Sequence, residues 1–189
     1  MPRRRDRFDG EFHEVIAGAR AGSARAFERI FTTLSPVVTG YLRLQGAAEP
    51  EDLTSEVFVA VLRNVGSFDG DEAGFRSWVF TIAHRRLLDE RRRAYRKPAP
   101  APLSETSDRP APDDVERAVE NLLSAAEVRA LCARLSPDQR DVLLMRLLGR
   151  LTIDEVAAAL DRTPGSVKAL QRRGLRAISR MIEREGVPL

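Results

Sequence analysis

The sequence predicts an all-helical fold of two small domains joined by a proline-rich linker. Apolar residues recur at helical spacing, and no stretch alternates apolar and polar residues for long enough to form a strand. Proline alternates with small and polar residues over positions 97–112, which is typical of an extended, semi-rigid connection. The predicted units are a basic disordered tail (1–10), a helical domain (11–97), the linker (98–113) and a second helical domain (114–185).

Composition narrows the class of protein. An apolar fraction of 43% excludes general disorder, and the 189 residues are enough for two small domains. The single cysteine, Cys132, cannot form an internal disulfide and is expected to be a buried thiol. His13 and His84 are too few and too far apart to indicate a metal site. No apolar run approaches the ~20 residues that span a bilayer. We therefore expect a cytoplasmic protein with no membrane insertion, no cofactor and no metal.

The start of the first domain consists of short amphipathic segments that we interpret as packing elements. A helix begins at Phe12 and breaks near Gly22, and Ser23 is placed to cap the next one. The pair Ser35-Pro36 has the hydroxyl and proline of a new helix start, so we expect a third helix from there. No chemistry is assigned to these segments.

An acidic helix follows, beginning at Pro50. The residues expected to face inward are Leu53, Val57, Val61 and Leu62, and those left outward are Asp52, Ser55 and Glu56. Acidic residues in a first turn complement the helix dipole, which explains Glu51 and Asp52 without any partner. Alternatively, an acidic surface on a protein of net charge +3 fits a protein partner with a positive surface.

A glycine-rich loop over residues 66–74 leads into a long helix from Phe75. Its predicted buried side carries Trp78, Val79, Ile82, Ala83 and Leu87, and its predicted outer side carries Phe80, Thr81, His84, Arg85, Leu88, Arg91 and Arg92. Exposed rings beside arginine suit unstacked bases, because rings stack on base faces while guanidinium groups hold the backbone. The alternative is that Phe80 and Leu88 pack on a neighbouring helix. Asp89 is expected to turn inward and pair with an arginine.

The second domain carries strong local signals for helix starts. Ser136 with Gln139, and Thr152 with Glu155, have the spacing of capping boxes. Gly149 is expected at the C′ position of the helix between them. The pair Thr163-Pro164 starts the last helix, and Asp161 just before it tolerates a left-handed backbone. Two helices so closely joined must cross sharply, so the sequence predicts a helix-turn-helix.

The last helix has two different faces. The apolar face is predicted to comprise Val167, Leu170, Gly174, Ile178 and Met181. The opposite face is basic, and a solvated charged surface would explain it. However, small residues at its N-terminal end allow a backbone approach to phosphate, and recognition helices read bases from that end. We therefore assign DNA contact, as a hypothesis, to Ser166, Lys168, Ala169, Arg172 and Arg173.

Four motifs in order resemble those of bacterial RNA polymerase sigma factors of the extracytoplasmic-function (ECF) group of the sigma-70 family. They are EDLTSEVF (51–58), FRSWVFTIAHR (75–85), DERR (89–92), and LSPDQR (135–140) followed by the helix at 163–176. The resemblance covers about residues 26–182. It departs from the family pattern at Ser55, where glutamine is usual, at Arg85, where asparagine is usual, and at Asp161, where glycine is common.

The resemblance implies a set of partners and contacts. Core RNA polymerase would be bound through its clamp coiled coil and its flap, with Asp52, Leu53, Ser55 and Glu56 at the clamp. The residues implied in minus-ten recognition and melting, including a pocket for a flipped base, are Ser67, Phe68, Asp69, Phe75, Trp78, Phe80, His84, Arg85, Arg91 and Arg92. The minus-thirty-five contacts are Thr163, Ser166, Lys168, Ala169, Arg172, Arg173 and Arg176. An anti-sigma factor that covers the polymerase-binding surfaces is also expected.

Two other functions compete with this interpretation. A stand-alone helix-turn-helix regulator would bind duplex DNA tightly by itself, usually as a dimer symmetric with its operator. A metal-dependent nuclease would use Asp69, Asp71 and Glu72, but these lie in one loop without a supporting histidine or a second acidic cluster. We therefore do not expect an enzyme, and we assign no catalytic residue.

Overall fold

The computed structural model describes residues 8, 10–96 and 125–185, and within these ranges it contains helices and no strand. The first domain holds α1 (Phe12–Arg20), α2 (Ala24–Gln45), α3 (Pro50–Asn64), a 3₁₀ turn (Val65–Ser67) and α4 (Glu72–Arg96); the second holds α5 (Ala125–Ala133), α6 (Pro137–Leu147), α7 (Ile153–Ala159) and α8 (Pro164–Glu185). The all-helical prediction is confirmed. The predicted linker and residues 1–7 of the predicted tail lie outside the described residues.

Helix α2 is longer than predicted. Ser23 caps it as expected, its Oγ accepting a hydrogen bond from the Ala26 amide at 3.3 Å. The prediction of a new helix at Ser35-Pro36 is wrong, because α2 continues through Pro36 to Gln45. A proline inside a helix costs about 3 kcal/mol. Burial of one apolar face along both halves of the helix offsets that cost; the face includes Ile30, Leu34, Val38 and Tyr41.

The N-terminal tail and α3 each depart from prediction at one apolar residue. Phe8, inside the predicted tail, is buried with its ring centroid 5.5 Å from that of Phe12. In α3, Leu53, Val57 and Val61 are buried as predicted. The inward orientation predicted for Leu62 is wrong, since its side chain is 46% exposed. The reason is the helix geometry. Successive residues are rotated by about 100° around the helix axis, so Leu62, which follows Val61 directly, lies outside the buried face.

The local signals in the second domain are confirmed. Both capping boxes form: the Gln139 amide donates to Ser136 Oγ at 3.4 Å and the Glu155 amide donates to Thr152 Oγ1 at 3.2 Å. Asp161 adopts the left-handed backbone expected of it, with φ of 52°. Pro164 begins α8, and Thr163 Oγ1 accepts from the Ser166 amide at 3.2 Å. These contacts build the predicted helix-turn-helix from α7 and α8.

Gly149 occupies the predicted C′ position, two residues beyond the end of α6. The left-handed residue is the next one, Arg150, with φ of 56°. Glycine is required at position 149 for a different reason, which is close packing. A Cβ there would lie 2.6 Å from the Met145 carbonyl oxygen and 3.1 Å from the Phe80 ring of the first domain.

The two domains pack against each other around the end of α2. Helix α2 contacts α5 and α6, and α4 contacts α7, so that one apolar core runs through both domains. Polar groups lie within this contact. The Gln45 side chain is 1% exposed, and its Nε2 donates a hydrogen bond to Asp141 Oδ1 at 2.8 Å. We call this contact between the two domains the docked interface.

His84 of α4 is buried near the same interface. Its Nδ1 lies 3.1 Å from the Tyr41 hydroxyl. Burial lowers the pKa of His84; the neighbouring Arg91 acts in the same direction and the Asp141 carboxylate acts against it. Burial together with the Asp141 charge also raises the pKa of Tyr41, so its phenol stays protonated. The folded protein therefore favours neutral imidazole.

Mild acid should destabilise the protein through His84. The unfolded chain takes up a proton near the ordinary histidine pKa of about 6.5, and the folded chain resists it, so stability falls as pH drops below that value. Between pH 7.5 and 5.5 we expect the free energy of unfolding to fall by about 1 kcal/mol more in the wild type than in His84→Gln. Thermal melting at both pH values measures this. An equal drop in the wild type and in His84→Gln would contradict the prediction.

Substitution Gly149→Ala should destabilise the protein by about 1–3 kcal/mol, because the added methyl group meets a backbone carbonyl that cannot move aside. Thermal or urea unfolding measures the loss. Gly165→Ala is the matched control, since nothing lies within 4 Å of a Cβ at that position. Equal stability of the two variants would show that the tight packing at Gly149 is not required.

Candidate nucleic-acid and polymerase interfaces

Helix α8 presents its basic residues to solvent. Val167 and Leu170 are buried, and Gly174 packs so tightly that a Cβ would lie 2.7 Å from Leu143. The predicted apolar face is thereby confirmed along its first half, and Ile178 and Met181 are half-buried. On the opposite face, Lys168, Arg172, Arg173 and Arg176 are exposed. Among the described residues, none of these four has an ion-pair partner. Their positive charge is therefore available to a polyanion.

The other predicted contacts on the second domain lie at the N-terminal end of this face. Thr163 is exposed, and Ser166 and Ala169 are half-buried. Beside them, a groove of about 480 Å³ runs along one flank of α8; it is lined by Arg146, Ile153, Lys168, Gln171, Arg172, Leu175 and Arg176. The side chain of Leu175 is 47% exposed at its edge. This flank combines apolar and basic character.

In the first domain, seven of the ten residues predicted to act at the minus-ten element form two groups. The exposed members are Ser67, Asp69, Arg85 and Arg92. The aromatic members Phe68 and Phe75 are buried, and Trp78 is half-buried. The Phe68 ring centroid lies 5.0 Å from that of Phe75 and 5.4 Å from that of Trp78. These rings therefore pack together beneath the loop.

The outward orientation predicted for Phe80 and His84 is wrong. Phe80 is 0% and His84 is 5% exposed. The Phe80 ring centroid lies 5.3 Å from that of Tyr41, and the ring also approaches Gly149 of the second domain. The physical reason is that α4 is covered on two sides, by its own domain and by the second one. The alternative interpretation of Phe80, packing on a neighbouring helix, is confirmed.

The basic end of α4 is largely exposed. Arg92 Nη1 lies 3.5 Å from Asp89 Oδ1, so the predicted ion pair of Asp89 forms, although Asp89 faces solvent rather than the inside. Arg91 is half-buried and donates to the Gln45 carbonyl at 2.7 Å. Tyr95, which the sequence analysis did not single out, is 94% exposed among these arginines. An aromatic residue inside a basic run was the signal that could have identified it.

On α3, the predicted acidic surface is present and has an apolar extension. Asp52, Ser55 and Glu56 are exposed, whereas Leu53 is 4% exposed and packs inward. The sequence analysis missed the neighbouring exposed apolar residues, which are Val59 (47%) and Leu62 (46%) on α3 and Phe31 (38%) on α2, whose ring centroid lies 5.0 Å from that of Phe58 of α3. Val59 lies seven residues after Asp52, a helical spacing that could have placed it on the same face. We call these six exposed residues the α3 docking face.

One acidic residue of the 66–74 loop has a structural role. Asp71 caps α4, its Oδ1 accepting from the Gly74 amide at 2.8 Å. Among the described residues, no three acidic, histidine or cysteine side chains are grouped as metal ligands. Nor is any described helix both long enough and apolar enough to cross a membrane.

Comparison with known proteins identifies both domains. Residues 30–97 match the family model described as Sigma-70 region 2, and residues 125–178 match that of Sigma-70, region 4. The chain is 34% identical over 176 residues to the ECF RNA polymerase sigma factor BldN of Streptomyces coelicolor, covering 89% of this chain and 65% of BldN. It is 32% identical over 180 residues to the ECF RNA polymerase sigma factor ShbA of Streptomyces griseus, covering 89% of this chain and 94% of ShbA.

A solved structure shares the fold. The structure of CnrH in complex with the cytosolic domain of CnrY superposes with a TM-score of 0.64 at 20% identity, covering 90% of this chain and 96% of CnrH. The Sigma-70 region 2 match falls on the first helical domain and the region 4 match falls on the second. The alignment with ShbA covers nearly the whole length of that protein. The chain therefore belongs to the ECF sigma factors of the sigma-70 family.

Proposed function

We propose that this sigma factor docks on core RNA polymerase through the α3 docking face and reads two promoter elements with α4 and α8. The observation that carries the proposal is the separation of charge: four exposed cations with no ion-pair partner among the described residues lie together on α8, while acidic and apolar residues share the exposed face of α3. Membership of the family excludes the stand-alone regulator and the metal nuclease. We also propose that the protein works in the cytoplasm, where polymerase and promoter DNA meet.

The α3 docking face fits a protein partner better than DNA. Burial of its exposed apolar side chains against a partner is favourable in free energy, and its carboxylates would repel phosphate. Glu56 of this face is paired with Arg93 at 3.7 Å, and Glu51 beside the face is paired with Arg43. We propose that Asp52, Ser55 and Glu56 meet the clamp coiled coil directly. Leu53, being buried, would act by fixing the position of α3.

For the minus-thirty-five element, we propose that α8 enters the major groove with its N-terminal end. Thr163, Ser166 and Ala169 permit close approach there, and the exposed cations Lys168, Arg172, Arg173 and Arg176 hold phosphates and base edges. On the flank of α8 beside these cations, Ile153 and Leu175 would meet the polymerase flap. Apolar and basic groups together suit a protein segment with acidic margins.

For the minus-ten element, we propose two kinds of role. Ser67, Asp69, Arg85 and Arg92 are exposed and would touch the melted strand directly. The ring cluster of Phe68, Phe75 and Trp78 would hold the loop in shape and line a pocket for a flipped base. Phe80 and His84 are buried near the docked interface, so any contact of theirs with DNA requires that the domains separate. Arg91 is half-buried and would have to leave the Gln45 carbonyl of its own domain.

We further propose that an anti-sigma factor covers these surfaces. Exposed apolar residues on both domains support this, since Leu147 is 62% exposed and Leu175 is 47% exposed on the second domain, in addition to the α3 docking face. The related fold of CnrH was solved with the cytosolic domain of CnrY bound.

Removal of one recognition cation should weaken promoter-specific initiation. We expect Arg172→Ala to lower run-off transcription by core polymerase about tenfold at moderate salt, because a base-edge contact contributes about 1–3 kcal/mol. Affinity for core polymerase alone should not change. Arg129→Ala removes the same charge from an exposed position on α5 and should transcribe normally. Full transcription by Arg172→Ala would show that Arg172 does not read the promoter.

A charge placed in the α3 docking face should weaken polymerase binding. We expect Val59→Glu to raise the dissociation constant for core polymerase at least tenfold, because burial of a carboxylate without a partner in the interface is energetically unfavourable. Fluorescence anisotropy of the labelled sigma factor measures the affinity. Ala17→Glu adds the same charge to an exposed site on α1 and should bind like the wild type. Equal binding by both variants would remove α3 from the contact.

A further inference from the structure

Helix α1 contacts the loop that connects the 3₁₀ turn to α4. Arg20 is the last residue of α1, and its Nη2 donates a hydrogen bond to the Phe68 carbonyl oxygen, 48 positions further along the chain. A cation in the last turn of a helix complements the helix dipole, which explains an arginine at this position without any other contact. It does not explain where the guanidinium group lies. The hydrogen bond therefore ties the backbone of the loop to a helix that is distant in sequence.

Phe68 is held at both its ring and its backbone. Its side chain is 9% exposed, and its ring centroid lies 5.0 Å from that of Phe75 and 5.4 Å from that of Trp78. Its backbone is extended, with φ of −69° and ψ of 132°, and its carbonyl accepts from Arg20. A charged donor makes a stronger hydrogen bond than a neutral one. The packing of the ring and the bond to the carbonyl thus constrain the same residue from two directions.

The neighbours of Phe68 in the chain are residues proposed to touch the melted strand. Ser67 and Asp69 are exposed on either side of it. The Phe68 carbonyl lies in the same rigid peptide plane as the amide nitrogen and Cα of Asp69. A donor that fixes this carbonyl therefore restricts the direction in which the Asp69 side chain leaves the backbone.

Other hydrogen bonds that the structure describes in this loop join residues close in sequence. Ser67 Oγ donates to the Asn64 carbonyl at 2.9 Å, and the Gly74 amide donates to Asp71 Oδ1 at 2.8 Å. Bonds of this kind shape a turn, but they do not fix its position relative to the rest of the domain. A loop with few contacts to other elements opens readily. The bond from Arg20 supplies a long-range contact of the kind that resists such opening.

The N-terminal segment supports the same loop through aromatic rings. The ring centroid of Phe12 in α1 lies 5.7 Å from that of Phe75, and the Phe8 centroid lies 6.4 Å from it. Phe75 in turn contacts Phe68, so the rings form a continuous path from α1 to the loop. Helix α1 lies outside residues 30–97, the range that matches Sigma-70 region 2. This support is therefore a feature of the present structure rather than of the matched region.

We propose that Arg20 is a positioning residue for minus-ten recognition: its hydrogen bond to Phe68 sets the placement of the loop and thereby the base that the loop prefers. Arg20 acts through the loop and needs no contact with DNA. Bases differ by a few donor and acceptor atoms, so a displaced pocket discriminates among them less well. The hydrogen bond rests on the structure, whereas its effect on base choice rests on the proposed function.

The single tryptophan of the chain reports on the position of the loop. Trp78 is half-buried, and its ring is packed beside that of Phe68. A loop that leaves this position uncovers the indole, so quenching of its fluorescence by acrylamide measures loop placement. The measurement uses the full chain without polymerase or DNA and is therefore independent of the proposed function.

Arg20→Ala should raise the quenching constant of Trp78 about twofold, because the loop loses one long-range hydrogen bond. Arg20→Lys keeps a cation with N–H donors and should lie closer to wild type. Arg25→Ala is the matched control, since it removes the same charge from an exposed position on α2 and should quench like wild type. Wild-type quenching for Arg20→Ala would overturn the proposal.

Circular dichroism guards this test against simple unfolding. Arg20 is exposed, so its removal leaves no cavity and helical content should not change. If Arg20→Ala lost helical content, Arg20→Met would decide by the same quenching measurement. Methionine has a helix propensity close to that of arginine and keeps an apolar stem, but it lacks the donors.

Run-off transcription from a promoter library randomised over the minus-ten element tests base choice. With core polymerase, Arg20→Ala should reduce the advantage of the preferred base at one position about fivefold, the scale of one net hydrogen bond. Arg20→Lys should restore most of it, and the minus-thirty-five preference should not change. A merely structural role would lower initiation from all library members equally, and such a uniform loss would overturn the proposal. An unchanged base preference beside stronger quenching would do the same.

The two measurements also distinguish this proposal from the proposed function. If the wild type directs no initiation with core polymerase, the proposed function fails and the effect on base choice fails with it. The quenching result still decides whether Arg20 holds the loop. If Arg20→Ala changes base preference but quenches like wild type, the arginine acts on DNA directly, and the positioning role is overturned.

Discussion

The continuity of α2 is the constraint on which the rest of the structure depends. It packs with α1 and α3 in the first domain and with α5 and α6 of the second, and Gln45 in its last turn is hydrogen-bonded to Asp141 of α6. Were the chain to begin a new helix at Ser35, the buried face from Ile30 to Tyr41 would break, and Gln45 would lose its place between the domains. One helix with a proline inside it therefore builds the first core and also places the residue that joins the two domains.

The parts of the fold that the sequence predicts well are those decided within a few residues. A capping box needs only Thr152 and Glu155, and the left-handed turn needs only Asp161; both form as expected. The burial of Phe80 and His84 is a different case. It depends on Gly149 and its neighbours, more than sixty positions away, and nothing in the local pattern of α4 signals a second covering surface.

The candidate polymerase face was predicted in part for a related reason. Charge alone pointed to Asp52 and Glu56, but apolar residues on an amphipathic helix are assigned to the core by default. Val59 and Leu62 depart from that default, because the angular position of each lies on the exposed side. An apolar residue left in water on an otherwise well-packed helix is informative once its neighbours are known, and only the structure supplies those neighbours.

Only some of the proposed contact residues are accessible in the docked form, so the contacts with polymerase and DNA form in a defined order. The cations of α8, the α3 docking face and Arg85 are all accessible while Gln45 and Asp141 remain in contact. Phe80 and His84 are not. Contacts with the first set can therefore form before the domains part and can supply the free energy that parts them, since a ligand shifts a conformational equilibrium only by its differential affinity for the two states. Arg85, a group with donors only, suits the early attraction of phosphate better than the reading of an adenine edge, which needs an acceptor as well.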